Sequence, residues 1–303
     1  MKTASTVFIV LAVCSLSITA QKSASANKPN ILVIVADDLG NQDASYHNLQ
    51  TEIMTPNIDK IAHEGVYFTA GYVTAPVCGP SRAGLLTGRY QQRFGFEDNP
   101  GPFRVDSEIE PGIPTTVSTI PELLKPLGYA TGCIGKWHLG DSDEFFPTNR
   151  GFDEFYGFLG GASGYYVEDN SKLTIFRNTT PVDSANGYIT DVFGSEAVKF
   201  IESHKQEPFF LYLAFNAVHG PLSAPDSILA KFSDVTPVER QTMCAMNYSM
   251  DKNIGFVMSK LEELGLDDNT LVIFLSDNGG KMEEGNFSFN APYKGMKGQL
   301  YEG

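Results

Sequence analysis

The sequence predicts an α/β fold: a three-layer helix–sheet–helix sandwich around a mainly parallel central sheet. Three observations lead there. Residues 30–36 form an unbroken, largely β-branched apolar run, as expected of a strand covered on both faces. Residues 208–215 and 270–275 repeat that character. Between these runs lie segments with helical spacing, and alternating strands and helices favour parallel crossovers. In such sheets ligands gather at the carboxyl ends of the strands.

Taken in order, the elements begin after a leader. Met1-Lys2-Thr3 and the apolar run from Val7 to Leu16 read as a secretory signal peptide over residues 1–26. Ala24-Ser25-Ala26 fits the small-residue cleavage rule, with Ala20 as an alternative. The run is too short to span a bilayer comfortably, so no stable membrane anchor is expected. Val13, before Cys14, is bulkier than lipoprotein sites usually carry.

After the first strand, Thr55 is expected to cap a helix opened by Pro56, with Ile58, Ile61 and Ala62 as its apolar stripe and Gly65 as its stop. Pro80 is expected to open the next helix. Cys78 would then sit beside its positive end, where anions collect and thiols become reactive. Arg82 would lie about one turn along, and Gly88 closes the segment. A short helix over 119–127 leads into a strand over 129–134. An amphipathic helix over 189–204 precedes the strand at 208–215, and a long helix over 241–264 precedes the strand at 270–275.

The chain of 303 residues carries a formal charge of −14, which becomes −16 if Lys2 and Lys22 leave with the leader. Such a chain repels nucleic acid and anionic membranes, so neither is an expected partner. Removing Cys14 leaves Cys78, Cys133 and Cys244, an odd number that is no disulfide framework. A Cys133–Cys244 bridge with Cys78 free is one arrangement open to it.

Several strands run directly into polar residues. Asp37 and Asp38 end the first, and Ser276-Asp277-Asn278-Gly279-Gly280 ends the last. Alone, the first pair reads equally as an acidic helix cap and the second as an Asx turn. Together they offer three carboxylates and an amide oxygen without histidine, a hard donor set suited to calcium or magnesium. Gly135-Lys136-Trp137-His138 follows another strand, and i, i+2 alternation would put Lys136 and His138 on one face. His219 follows the strand at 208–215, and Lys297 lies near the end of the chain.

Cys78 to Gly88 contains C-x-P-S-R-x-x-x-L-T-G in full, the signature of the formylglycine-dependent sulfatases. The chain resembles that family over about residues 28–303. Gly135-Lys136-Trp137-His138-Leu139-Gly140 is a second hallmark. Residues 214–221 resemble A-F-N-x-P-H-x-P, with Val218 in place of the proline, and residues 293–303 resemble the G-K-x-x-x-x-E-G-G region. The resemblance implies an alkaline-phosphatase-like fold and oxidation of Cys78 to formylglycine (3-oxoalanine) by a formylglycine-generating or sulfatase-maturating enzyme. Its hydrate would be the nucleophile.

By the same resemblance Asp37, Asp38, Asp277 and Asn278 match the metal ligands, position 78 completes the shell, and calcium (Ca2+) is expected ahead of magnesium (Mg2+). Arg82, Lys136, His138, His219 and Lys297 would bind the sulfate and serve catalysis. His219 or Lys297 would protonate the leaving alcohol and His138 would take a proton, while Lys294 would be a neighbour only. The expected substrate is a sulfated small molecule or polysaccharide, met in a secreted or periplasmic setting. The family continues past E-G-G with a small C-terminal domain, so residues 27–303 are expected to be a catalytic domain that is incomplete at its C-terminus. The competing readings are phosphate or phosphonate monoester cleavage, and non-catalytic binding of sulfated glycans. Asn178, Asn247 and Asn286 stand in glycosylation sequons, meaningful only in a eukaryotic secretory host.

Overall fold

A computed structural model describes residues 28–100, 112–166, 174–182, 187–282 and 286–303. The expected leader, residues 1–26, lies outside them. The strands are β1 (Asn30–Ala36), β2 (Ala130–Lys136), β3 (Glu154–Phe158), β4 (Phe176–Arg177), β5 (Thr180–Pro181), β6 (Phe209–Ala214) and β7 (Thr270–Ser276). They form one sheet in the order β5-β4-β3-β2-β6-β1-β7. Every pairing from β3 to β7 across that order is parallel, and only β4 and β5 run antiparallel at one edge. The helices are α1 (Pro56–Glu64), α2 (Cys78–Thr87), α3 (Ile120–Leu124), α4 (Ile189–Ser203), α5 (Asp226–Leu229) and α6 (Val238–Glu263).

Alternation along the strands divides the core in two. Leu32 and Ile34 of β1 and Leu211 and Leu213 of β6 pack with α1, α4 and α6. Val33 and Val35 of β1, with Phe210 and Tyr212 of β6, face α2 and α3. The expected sandwich is therefore present, each strand supplying both layers. Among the described residues no helix is long and apolar enough to cross a membrane.

Four local expectations change. Helix α2 starts at Cys78 rather than Pro80, with Val77 as its cap, so Cys78 occupies the first turn itself. Thr55 takes the cap position before Pro56 as expected, but its side chain makes no capping bond. Its hydroxyl bonds Asp59 at 3.0 Å, and Asp251 from α6 accepts the N–H groups of Asn57 and Ile58 at 3.0 and 2.8 Å instead. Cys133 and Cys244 are both free and lie in the two opposite cores, so they do not bridge. Asn247 and Asn286 are buried, leaving Asn178 as the exposed sequon.

Candidate functional site

Three parallel neighbours end together. Beyond β1 and β6 the ladder continues: Asp37 N–H donates to Ala217 O at 2.9 Å, and Val218 N–H donates to Asp37 O at 2.7 Å. Asp277 N–H donates to Ala36 O at 3.0 Å, fixing the end of β7 beside the end of β1. Lys136 closes β2. Gly135 just before it has φ 107, and a side chain there would strike the Ala214 carbonyl, so only glycine lets β2 and β6 approach. Helix α2 crosses this end and contributes Cys78 and Arg82.

The groups interlock. Lys136 Nζ lies 2.5 Å from Asp37 Oδ2. Arg82 meets Asp277 Oδ2 through Nε and Nη2 at 2.9 and 2.7 Å, and Nη2 stands 3.7 Å from Asp37. Lys297 Nζ lies 2.6 Å from Asp38 Oδ1, Asn278 Nδ2 donates to that same oxygen at 2.7 Å, and His219 Nε2 is 3.7 Å from Asp38 Oδ2. Gly298 N–H donates to Pro76 O at 2.8 Å, which ties the Lys297 loop to the approach to α2. All ten residues singled out from the sequence thus converge on one end of the sheet.

One ligand atom each from Asp37, Asp38, Cys78 and His219 lies within 4.8 Å of the others, close enough to hold a metal ion. Asp277 instead points its carboxylate at Arg82 and accepts the Asp38 N–H at 3.3 Å. Two buried oxygens, Asp37 Oδ1 and Asn278 Oδ1, have no hydrogen-bond partner. Burial, then the neighbouring Asp37, raises the Asp277 carboxyl against the pull of Arg82, Lys136 and Lys297. Unsatisfied hard oxygens among crowded carboxylates fit a divalent cation, which would relieve both.

Burial also raises the Cys78 thiol, outweighing Lys136 and Lys297, while Asp37 and Asp277 push it further. Cys78 keeps its place at a helix start, but the residue is only 2% exposed beside two carboxylates, and its burial works against the thiolate. Burial, Lys136 and Arg82 hold His138 well below its usual range, so its imidazole is neutral. Its Nε2–H donates to Pro100 O at 3.3 Å, and its Nδ1 is buried without a partner. Gly161 packs so closely on that ring that any side chain there would collide with it. His219 Nδ1–H donates to Gly220 O at 2.6 Å, leaving Nε2 toward Asp38. Burial disfavours the charge on Lys297, yet Asp38 and its neighbours raise it above the ordinary ammonium range.

Supporting residues went unread in the sequence. Tyr165 Oη–H reaches the carbonyls of Asn216 and His219 at 2.6 and 2.8 Å and so shapes the His219 loop. Tyr212 lies buried against Arg82. Ser276 Oγ accepts the Leu39 N–H at 3.0 Å, holding the turn after Asp38. Ser276 was legible as the residue before Asp277, and Tyr212 by its alternation with Ala214. Tyr165 carries no such mark.

The family model described as Sulfatase matches residues 29–303. The chain belongs to the sulfatase family. Among its relatives, Arylsulfatase J of Mus musculus is 35% identical over 292 residues, covering 93% of this chain and 47% of its own length. N-acetylgalactosamine-6-sulfatase of Mus musculus is 35% identical over 297 residues, covering 91% of this chain and 55% of its own. The crystal structure of Ps i-CgsB in complex with k-i-k-neocarrahexaose superposes with a TM-score of 0.83 at 40% identity, over 91% of this chain and 64% of that one. This sulfatase-family chain spans about half the length of the curated relatives it matches.

Proposed function

We propose that this sulfatase-family chain hydrolyses sulfate monoesters of a carbohydrate outside the cytoplasm. Residues 1–26 act as signal peptide and residues 27–303 as catalytic domain. The observation that carries the reading is the meeting of Cys78, Arg82, Lys136, His138, His219 and Lys297 around the Asp37–Asp38 cluster at one sheet end. A carbohydrate substrate is supported by relatives named for N-acetylgalactosamine-6-sulfatase and by the neighbour crystallised with a neocarrahexaose.

Asp37, Asp38, Asp277 and Asn278, with position 78, would hold one calcium ion, magnesium being the alternative. Bound there it would polarise a sulfate oxygen and favour an ionised nucleophile. Cys78, oxidised to formylglycine by a maturating enzyme, provides that nucleophilic oxygen as its hydrate. Arg82 and Lys136 present fixed positive charge to the sulfuryl group, where charge develops in the transition state. Lys297, at the open side, binds a further sulfate oxygen. His219 or Lys297 gives a proton to the departing alcohol, and His138, neutral by its burial, takes up a proton at Nδ1 from the oxygen at position 78. Arg82 serves by its fixed charge, because a guanidinium keeps its proton throughout the physiological pH range.

Mass spectrometry of the Cys78 peptide, from protein secreted by a host with a maturating enzyme, tests the mechanism. The expected species is the aldehyde or its hydrate. An unmodified thiol in a preparation that turns over sulfate esters contradicts it.

A further inference from the structure

Asp38 adopts φ 62, a left-handed conformation uncommon for a residue with a side chain. Such a conformation persists only where the surroundings hold it. Much of the hold comes from residues 286–290. Asn286 Nδ2 donates to the carbonyl of Asp38 at 3.0 Å and to that of Val218 at 3.2 Å, so one amide ties the metal-cluster carboxylate to the residue before His219. Ser288 N–H donates to Asn286 Oδ1 at 3.3 Å, and Ser288 Oγ accepts the Gly40 N–H at 2.9 Å.

Behind this segment stands Asp43, fully buried. Its Oδ2 accepts the Ser288 hydroxyl and the Phe289 N–H, the latter at 3.1 Å. Its Oδ1 accepts Arg240 Nη1–H at 2.6 Å, and its carbonyl accepts Asn247 Nδ2 at 2.6 Å. Arg240 also donates to Phe287 O at 3.0 Å and to Glu52 at 2.9 Å, and lies 4.5 Å over the Phe289 ring. Both carboxylate oxygens are thus committed to donors, one set on α6 and the other on the segment that carries Asn286.

We propose that Asp43, paired with Arg240, is a positioning residue for Asp38 and His219: it fastens residues 286–290 against the loop after β1, so that Asn286 holds both carbonyls. Asp43 touches none of the reacting groups and acts through Ser288 and Asn286. Outer partners of this kind orient metal ligands, and their loss typically weakens metal affinity by about 10–100-fold. Asparagine at position 43 would turn an NH2 group toward donors, so either Arg240 or Ser288 would lose its acceptor.

This inference rests on the metal reading of the Asp37–Asp38 cluster, and calcium titration by calorimetry on the full chain separates the two. Four proteins are compared: the unchanged chain, Asp43→Asn, Ser288→Ala and Val257→Ala. Val257 is buried on α6 about 25 Å along the helix from Arg240, so its truncation lowers stability while leaving the hydrogen bonds of the clamp in place. The expected result is a calcium Kd raised about 10–100-fold in Asp43→Asn and Ser288→Ala, and unchanged in Val257→Ala. If Asp43→Asn fails to fold by circular dichroism, Ser288→Ala decides. An unchanged Kd in Ser288→Ala, or an equal loss in Val257→Ala, overturns the positioning role while leaving the metal site intact. No calcium binding by the unchanged chain overturns the metal reading and the clamp with it.

Discussion

The inner half of the site consists of Arg82, Lys136, Asp37 and Asp277, with side chains at most 1% exposed. The outer half, Lys297 and His219 around Asp38, keeps 16% and 22% exposure on its lysine and histidine side chains. Both halves pair positive groups with carboxylates, yet the consequences differ. A fully buried ion is tolerated only through its partner, so the inner four behave as a frame that cannot rearrange without loss of fold. The outer pair can exchange a carboxylate for a substrate at modest cost, because water still reaches it. In the proposed mechanism the rigid charge meets the sulfuryl group and the more accessible groups meet the departing alcohol.

The largest effect expected from breaking this division is Arg82→Met. It strands Asp277 in the core and should cost about 3–5 kcal/mol of stability, measured by denaturant titration, with turnover lost alongside. A small stability change would mean that the inner half is not a frame. Lys297→Met should sharpen the contrast from the other side. Its unfolding free energy should fall by less than that of Arg82→Met, because Asp38 keeps the Asn278 amide as a partner, while kcat on a sulfate ester falls about a hundredfold. If Lys297→Met destabilises as much as Arg82→Met, the two halves are one structural unit and the distinction is void.

The same division explains what could be read from the chain. Strand ends were legible because β1, β6 and β7 lie in largely apolar runs that give way to Asp37, Asn216 and Asp277, because β2 runs into Lys136, and because parallel sheets gather chemistry at those ends. Most ligand and cation candidates were legible because they lie within a few residues of such an end or in the Cys78–Gly88 motif, whereas Lys297 was legible only through the resemblance of residues 293–303 to the G-K-x-x-x-x-E-G-G region. What escaped was set by contacts far apart in sequence. Asp251 caps α1 from across the fold, where Thr55 was the local candidate. Asp43 finds Arg240 nearly two hundred residues away. Cys78 was read as reactive from its helix position, but its thiol is raised by burial under loops and strands that a local window does not contain. Cys133 and Cys244 were separated by the sheet itself, which no count of cysteines reveals.

The proposed reaction makes this a constellation for sulfuryl rather than phosphoryl transfer. It is tested most directly by comparing kcat/KM for an aryl sulfate and the matched aryl phosphate, using calcium-loaded protein whose Cys78 has been converted. The sulfate ester should be strongly preferred, and Cys78→Ala should abolish its turnover. Preference for the phosphate ester, or sulfate turnover that survives Cys78→Ala, would contradict it.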